Sequence, residues 1–341
     1  MKNSSNLIAK QVFSVNAFYT KKQNETKKLF FKCLKEKKSI EYFDKKLSGI
    51  WDNVDHRFMD KQIFKLKELV HSNNVEEAIN LGRLEGEFKR DSSWVIDDEY
   101  FKLTPESEFN KVEQRFKKTV ERNYKNSQKA LEKVDEETYF KKKLITYDKQ
   151  VNQLITYFDK EGNSVRQVQL SSYLSMIHNT NLTRSGWNQT MGDSERLGMD
   201  LFIIPFHSFS CPYCLSYQNR PLTKFEVENI ISIEAEEQQG DILHPNCKCT
   251  LSIYWDSSQI DIQRYSYEES EELYKLRQKV NRLTLEKANL RTDMNIAKEL
   301  GNESEADKYR QRINSINKTI RDIKKELPTE ELEKQITAIK R

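Results

Sequence analysis

The sequence predicts a mainly α-helical protein with a helical N-terminal region, a small α+β central domain and a C-terminal antiparallel helical hairpin or coiled coil. Charged residues make up 32% and apolar residues only 36% of the 341 positions, below the usual apolar share of about 45–50%. Nine glycines and six prolines are few helix breakers for this length. Four of the six prolines and four of the five cysteines lie between positions 205 and 249, so turns and strands are expected there.

Residues 1–150 are predicted to form a helical region because two apolar stripes repeat at helical spacing. The first stripe comprises Met59, Ile63, Leu66 and Val70. The second comprises Phe109, Val112, Phe116, Val120 and Tyr124. Thr104 is the predicted N-cap of the second helix, with Pro105 at its first position. Cys33 lies in an apolar run and is predicted to be a buried small hydrophobe.

Residues 151–260 are predicted to form a small α+β domain, with helices followed by short strands and Cys-rich loops. Short apolar or alternating runs after a glycine favour strands over helices. The predicted segments are helices at 165–181 and 183–200, the second ending near Gly198, and strands at 201–206 and 250–255.

Residues 261–341 carry two heptad stripes separated by Gly301-Asn302, which predicts an antiparallel helical hairpin or the strands of an intermolecular coiled coil. Pro328 is expected to limit the second helix. The first stripe comprises Leu273, Leu276, Val280, Leu283, Leu290, Met294 and Ala297, with Lys287 at one position of the seam. The second comprises Tyr309, Ile313, Ile316, Ile320, Ile323 and Leu327.

Charge and hydropathy exclude several classes of protein. The net charge is only +4, and Lys and Glu interleave, which is typical of solvated helix faces rather than of a phosphate-binding track. No run of about 18 apolar residues is present, so no membrane span is expected. The start MKNSSNLIAKQ has no apolar core of a signal peptide, so we expect an intracellular product.

The Cys-rich window has the spacing of a structural zinc site. It reads Cys-x2-Cys, then 29 residues, then His-x2-Cys-x-Cys, and such paired thiolates and imidazoles favour tetrahedral zinc. One zinc ion is expected to stabilise the central domain, and no Glu beside the histidine could act as a base. The five candidate ligands are Cys211, Cys214, His244, Cys247 and Cys249. We favour the first three with one of the last two, and His207 is a further candidate.

Three other interpretations of the window are weaker. A disulfide is disfavoured in an intracellular product. CPYC is the active-site tetrapeptide of glutaredoxins, but here a polar turn rather than a helix is expected to follow it, and that activity does not require the second Cys/His element. A zinc deaminase needs Glu two residues after its upstream His, whereas Phe209 follows His207.

The segments HSFSCPYCLSYQNRPLT and HPNCKCTLSIYW resemble the Cys/His segment of phage minor capsid proteins and Mu F-type head morphogenesis proteins. That family carries CxxC, a short GK- or GR-like turn, and HPNCRC. The similarity extends over about 155–325. In this chain Lys248 replaces the usual Arg, and Asn219 replaces a turn Gly.

The resemblance implies a non-enzymatic structural protein of a tailed-phage virion, made in the host cytoplasm. It implies a position near the portal vertex, a role in head assembly or genome delivery, and oligomeric contacts with portal and capsid proteins. Non-specific contact with packaged DNA is compatible with that place. The alternatives are a stand-alone zinc-stabilised adaptor that binds other proteins, and a CPYC thiol-disulfide enzyme.

Overall fold

The computed structural model describes residues 2–52, 54–82, 103–152, 155–158, 164–205, 212–232, 249–259 and 267–326. This part of the chain is mainly helical with a small three-stranded sheet, which confirms the predicted class in that coarse form. Among the described helices, none combines the length and the apolarity needed to cross a membrane. The helices are α1 Lys2–Lys35, α2 Ile40–Trp51, α3 Arg57–Asn80, α4 Glu106–Leu131, α5 Glu136–Tyr147, α6 Leu170–Arg196, α7 Pro212–Leu215, α8 Lys224–Ser232, α9 Tyr267–Glu299 and α10 Glu303–Glu326. The strands are β1 Ile155–Phe158, β2 Ser164–Val168, β3 Leu201–Ile203, β4 Pro221–Thr223 and β5 Ser252–Ile253.

The first five helices and α6 enclose an aromatic core. Phe43 of α2 stacks on Tyr124 of α4 with ring centroids 3.9 Å apart. Phe30 of α1 meets both rings edge-on and also contacts Tyr147 of α5. Edge-to-face and stacked aromatic pairs add to the free energy gained by burial itself. Cys33 is buried in this core, as predicted, and burial raises the pKa of its thiol.

The predicted apolar faces of α3 and α4 are confirmed, but the start of α4 is not. The structure begins α4 at Glu106 with Pro105 as its N-cap, so the prediction of Thr104 as N-cap is wrong. The side chain of Asn181 on α6 accepts from the Thr104 N–H at 2.9 Å and donates to the Thr104 carbonyl at 3.0 Å. This tertiary contact holds Thr104 outside the helix.

The central helices differ from the sequence prediction. Residues 164–168 form β2, which pairs antiparallel with β1, so the helix predicted from 165 begins only at Leu170. The two predicted helices are one continuous helix, α6. No break occurs around residues 181–183 because these residues are buried, with Asn181 bonded to Thr104. Asn and Thr often interrupt helices, but here their tertiary partners keep the helix continuous.

The predicted strands at 201–206 and 250–255 are confirmed as the shorter β3 and β5. The sheet order is β4-β3-β5, with Phe202 of β3 opposite Leu222 on one side and Ile253 on the other. Gly198 ends α6 at a φ of +64°, the left-handed conformation that glycine adopts without strain. The chain therefore turns directly from α6 into β3.

Helices α9 and α10 form a hairpin around Gly301, which has a φ of +80°. The Asn302 side chain accepts a hydrogen bond from the Glu305 N–H at 3.2 Å and caps α10. Along the hairpin, Ile316 and Ile320 of α10 pack in a cluster with Leu283 of α9. At its closed end, side chains of both helices join the aromatic core. They are Ile296, Ala297 and Ala306.

Candidate functional site

Two of the five predicted zinc ligands lie in the described part of the chain. Cys214 lies on the one-turn helix α7 and is 0% exposed, and Cys249 lies just before β5 and is 1% exposed. Both belong to one apolar cluster that contains Trp187 of α6 and Phe202 of β3. Thus Cys214 and Cys249 meet beside the small sheet. The remaining candidates lie outside the described residues: Cys211, His244, Cys247 and His207.

Helix α6 fixes the backbone that follows Cys249. The Trp187 indole N–H donates to the Cys249 carbonyl at 3.0 Å. Thr190, one turn further along α6, donates to the Leu251 carbonyl at 3.1 Å. The Gln218 side-chain amide lies 3.4 Å from the Cys249 sulfur, a donor position that suits a thiolate acceptor.

The turn after Cys214 follows the residue chemistry of the sequence. Asn219 has a φ of 56°, a left-handed conformation that Gly and Asn tolerate best, and its N–H donates to the Ile204 carbonyl at 3.0 Å. The prediction that a polar turn rather than a helix follows Cys211 is wrong: the helical turn α7 begins at Pro212, and the polar turn follows α7.

Most of the predicted zinc ligands lie outside the described residues. No group of three or more His, Cys, Asp and Glu side chains that could hold a metal is present among them. Because three of the five predicted ligands lie outside that part of the chain, the zinc site stays a prediction. The geometry shows only that Cys214 and Cys249 come to one buried cluster from positions far apart in sequence.

A buried carboxylate on α6 was not predicted. Asp193 is 0% exposed, and its oxygens lie 3.0 Å from His71 Nδ1, 2.9 Å from Asn74 Nδ2 and 2.9 Å from Gln189 Nε2. The network joins α3 to α6. A buried charge is tolerated only with such hydrogen-bond partners. No spacing in the sequence joins these residues, and only Asn74, four residues after Val70, lies on the predicted apolar stripe of α3.

A second unpredicted network surrounds His56, between α1, α3 and α4. Its Nε2 lies 2.9 Å from Glu113 and its Nδ1 lies 2.9 Å from Glu106. Tyr19 donates its hydroxyl to Glu113 at 2.7 Å. Burial alone lowers the pKa of His56, but the hydrogen bonds to the two carboxylates outweigh burial, so its pKa is raised. Two acceptors also require a proton on each ring nitrogen.

A third network ties the C-terminal hairpin to the first helix. The buried Lys27 ammonium of α1 lies 3.0 Å from Asp148 and also contacts Asp293 of α9. Burial raises the pKa of Asp293 to about 6, despite the opposing effect of Lys27. These three networks connect helices distant in sequence, so their evident chemical role is to brace the fold.

His178 on α6 shows the opposite behaviour to His56. Its Nε2 lies 2.8 Å from the neutral side-chain oxygen of Gln62 on α3. Burial lowers the pKa of His178 to about 4, because removal from water disfavours the charged imidazolium. His178 is therefore a neutral structural hydrogen-bonding residue at neutral pH.

Comparison with models of protein families matches residues 98–324, about two thirds of the chain, to the family described as Phage minor capsid protein 2. The matched range runs from just before α4 to near the end of α10, and it includes the Cys/His window. No curated protein and no solved structure matches the chain significantly.

Proposed function

Because this chain belongs to the phage minor capsid protein 2 family, we propose that it is a minor structural protein of a tailed-phage head, located at the portal vertex. Family membership makes it a structural phage protein of the virion. We place its role in head assembly or genome delivery, after synthesis in the host cytoplasm. The observation that carries the proposal is the family match across residues 98–324.

The architecture supports a structural role. Buried networks around Asp193, His56 and Lys27 join α1, α3, α4, α6 and α9, so helices from the whole chain brace one another. The long helices leave many charged side chains on their outer faces. Such faces supply polar contacts to neighbouring portal and capsid proteins, to further copies of the chain, and to packaged DNA.

Disruption of the gene in the encoding phage tests this role. We expect lysates with reduced yields of infectious, DNA-filled heads, restored when the full-length chain is supplied from a plasmid. Isolated portal protein should also co-purify with the full-length chain. Normal heads without the chain, together with its recovery in complexes of host proteins, would favour the zinc-stabilised adaptor instead.

We also propose that one structural zinc ion binds within the Cys/His window. What supports it is the spacing of the five candidates and the meeting of Cys214 with Cys249 in one buried cluster. Cys211, Cys214 and His244, with either Cys247 or Cys249, would complete a tetrahedral set. The ion would link the segment that follows β3 to the segment that precedes β5, and no catalytic role is assigned to it.

Elemental analysis of the full chain, purified without chelators, tests the zinc proposal. We expect about one zinc per chain, lost in Cys214→Ser and in only one of the two variants Cys247→Ser and Cys249→Ser, which identifies the fourth ligand. Cys33→Ser is the matched control, since Cys33 is equally buried but lies in the separate aromatic core. Protein without metal, whose thermal stability EDTA does not alter, would refute the site. Turnover in a thiol-transfer assay would favour the redox enzyme.

A further inference from the structure

One exposed face of α4 carries a continuous line of positive charge. Its members are four, three, four, three and four residues apart, a spacing that keeps them on one side of an α-helix. All six side chains are exposed. We name this set the basic stripe, and it consists of Lys111, Arg115, Lys118, Arg122, Lys125 and Lys129.

The two glutamates of α4 that fall within this span do not neutralise the stripe. Glu113 is buried on the opposite side of the helix, where it contacts His56. Glu121 is only partly exposed, and burial together with the nearby charge of Asp44 raises the pKa of its carboxyl. The helix therefore separates its charges, unlike most of the chain, where Lys and Glu interleave.

Ion pairing leaves most of the stripe available. Within the described ranges, Lys111 forms an ion pair with Glu108 at the start of the stripe, and no ion pair involves the five later members. Elsewhere on the surface, lysines commonly pair with acids, as Lys37 does with Glu136. Unpaired, solvated cations in a row produce a local positive potential that a small net charge conceals.

An open groove of about 1000 Å³ runs along the same face. Four members of the stripe line it, from Lys111 to Arg122, together with the neutral Asn110 and Gln114. Amide side chains next to cations are common partners of phosphate oxygens. The lining thus combines charge with neutral hydrogen-bond donors, and among the described lining residues there is no carboxylate.

We propose that the basic stripe binds the phosphate backbone of double-stranded DNA without reading its base sequence. From Lys111 to Lys129 the helix rises about 27 Å, the length of about eight base pairs. The stripe has one cation per about 5 Å, while duplex DNA has one phosphate per about 1.7 Å of axis, of which a fraction faces any one side. The charge densities are therefore compatible.

Other polyanions match the surface less well. Proteins that hold single strands stack bases on exposed aromatic rings, but Phe109, Phe116 and Tyr124 of α4 are buried in the aromatic core. An acidic protein partner would need an apolar contact area at the centre of its interface, and the stripe consists of cations. If the chain lies in the head, as proposed above, the DNA that the stripe contacts is the packaged genome.

Fluorescence anisotropy with a labelled 30-base-pair duplex of arbitrary sequence, titrated with the full-length chain at several salt concentrations, tests the inference. With six contacts, the logarithm of the binding constant should fall with the logarithm of salt at a slope of about −5. The triple variant Lys118→Gln, Arg122→Gln, Lys125→Gln should bind at least about tenfold more weakly, with a slope of about −3.

The matched control removes the same charges from another exposed helix face, by Lys318→Gln, Arg321→Gln and Lys325→Gln on α10. It should bind as the wild type does, and circular dichroism should show both triple variants folded.

Equal losses of DNA affinity in both variants, or no binding by the wild type at low salt, would overturn the inference. So would tighter binding to a 30-nucleotide single strand or to polyglutamate, which would assign the stripe to those partners. Duplex binding by a chain that is absent from heads would refute the proposed function alone.

Discussion

Helix α6 and the C-terminal hairpin are both long helical elements, but different forces hold them. Away from its closed end, the hairpin has one apolar seam, in which Ile316 and Ile320 pack with Leu283, and Asn314 and Ser315 on its outer face are exposed. Helix α6 is buried along most of its length although many of its residues are polar. Its polar side chains form hydrogen bonds with residues that are distant in sequence. Asn181 bonds to Thr104, and Asp193 bonds to His71.

The contrast shows two ways to stabilise a helix. An apolar seam is local, since each helix of the hairpin supplies the surface that the other buries. A buried polar helix depends on every distant partner being present, because an unsatisfied buried group carries a large desolvation penalty. Damage to the seam should therefore remain local, whereas damage to α6 should spread through the fold.

The largest effect is expected from Ile316→Asp combined with Ile320→Asp. Each substitution removes a buried side chain, which costs about 2–5 kcal/mol, and adds a charge to the seam. Amide hydrogen exchange should accelerate in α9 and α10 while α6 stays protected. Asn314→Asp with Ser315→Asp, on the exposed face of α10, is the control and should change neither helix. Equal acceleration in α6 would contradict local damage.

Asp193→Ala should lower the free energy of unfolding of the whole chain by about 3–5 kcal/mol, because it leaves buried donors from α3 and α6 without their acceptor. Chemical denaturation followed by circular dichroism measures this loss. Asp322→Ala on the surface of α10 should change stability by less than about 0.5 kcal/mol. If the two variants behave alike, the buried network is not what holds α6.

Acid should weaken α6 through His178. Its folded-state pKa of about 4 lies below its ordinary value of 6.5, so the unfolded chain binds a proton first as pH falls. The stabilisation is present above about pH 6.5 and lost as the pH approaches 4, by at most about 3 kcal/mol. His178→Gln should flatten this part of the stability profile. An unchanged acid slope in the variant would contradict the assignment.

His56 should give the smallest effect, and with the opposite sign. Its pKa is raised above the ordinary value of 6.5, so its stabilisation is complete below pH 6.5 and disappears as the pH rises through the folded-state pKa. In His56→Gln the decline in stability above pH 6.5 should be reduced, while the acid slope due to His178 remains. NMR titration of the two imidazoles measures both pKa values directly.

The sequence predicts elements that are held by local contacts better than elements that are held by distant partners. The structure shows the hairpin, one of the two predicted arrangements, because its apolar period and its Gly-Asn turn are local features, while Leu327 and Pro328 lie outside the described residues. Helix α6 was divided in two because the partner of Asn181 lies 77 residues away, and the β1–β2 pair was missed because short strands carry little periodicity. For the candidate site, the spacing predicted one zinc ion held by Cys and His; the described residues show Cys214 and Cys249 in one cluster, and the ligand set stays a prediction. The Asp193 network has no spacing signature, so only the fold reveals it.

The central claim, that this chain is a minor structural protein of the phage head, is tested most directly by quantitative mass spectrometry of purified, DNA-filled heads. The account predicts that the chain is present after density-gradient purification, in few copies relative to the major capsid protein and in constant ratio to the portal protein. A chain abundant in the lysate but absent from those heads would contradict the claim.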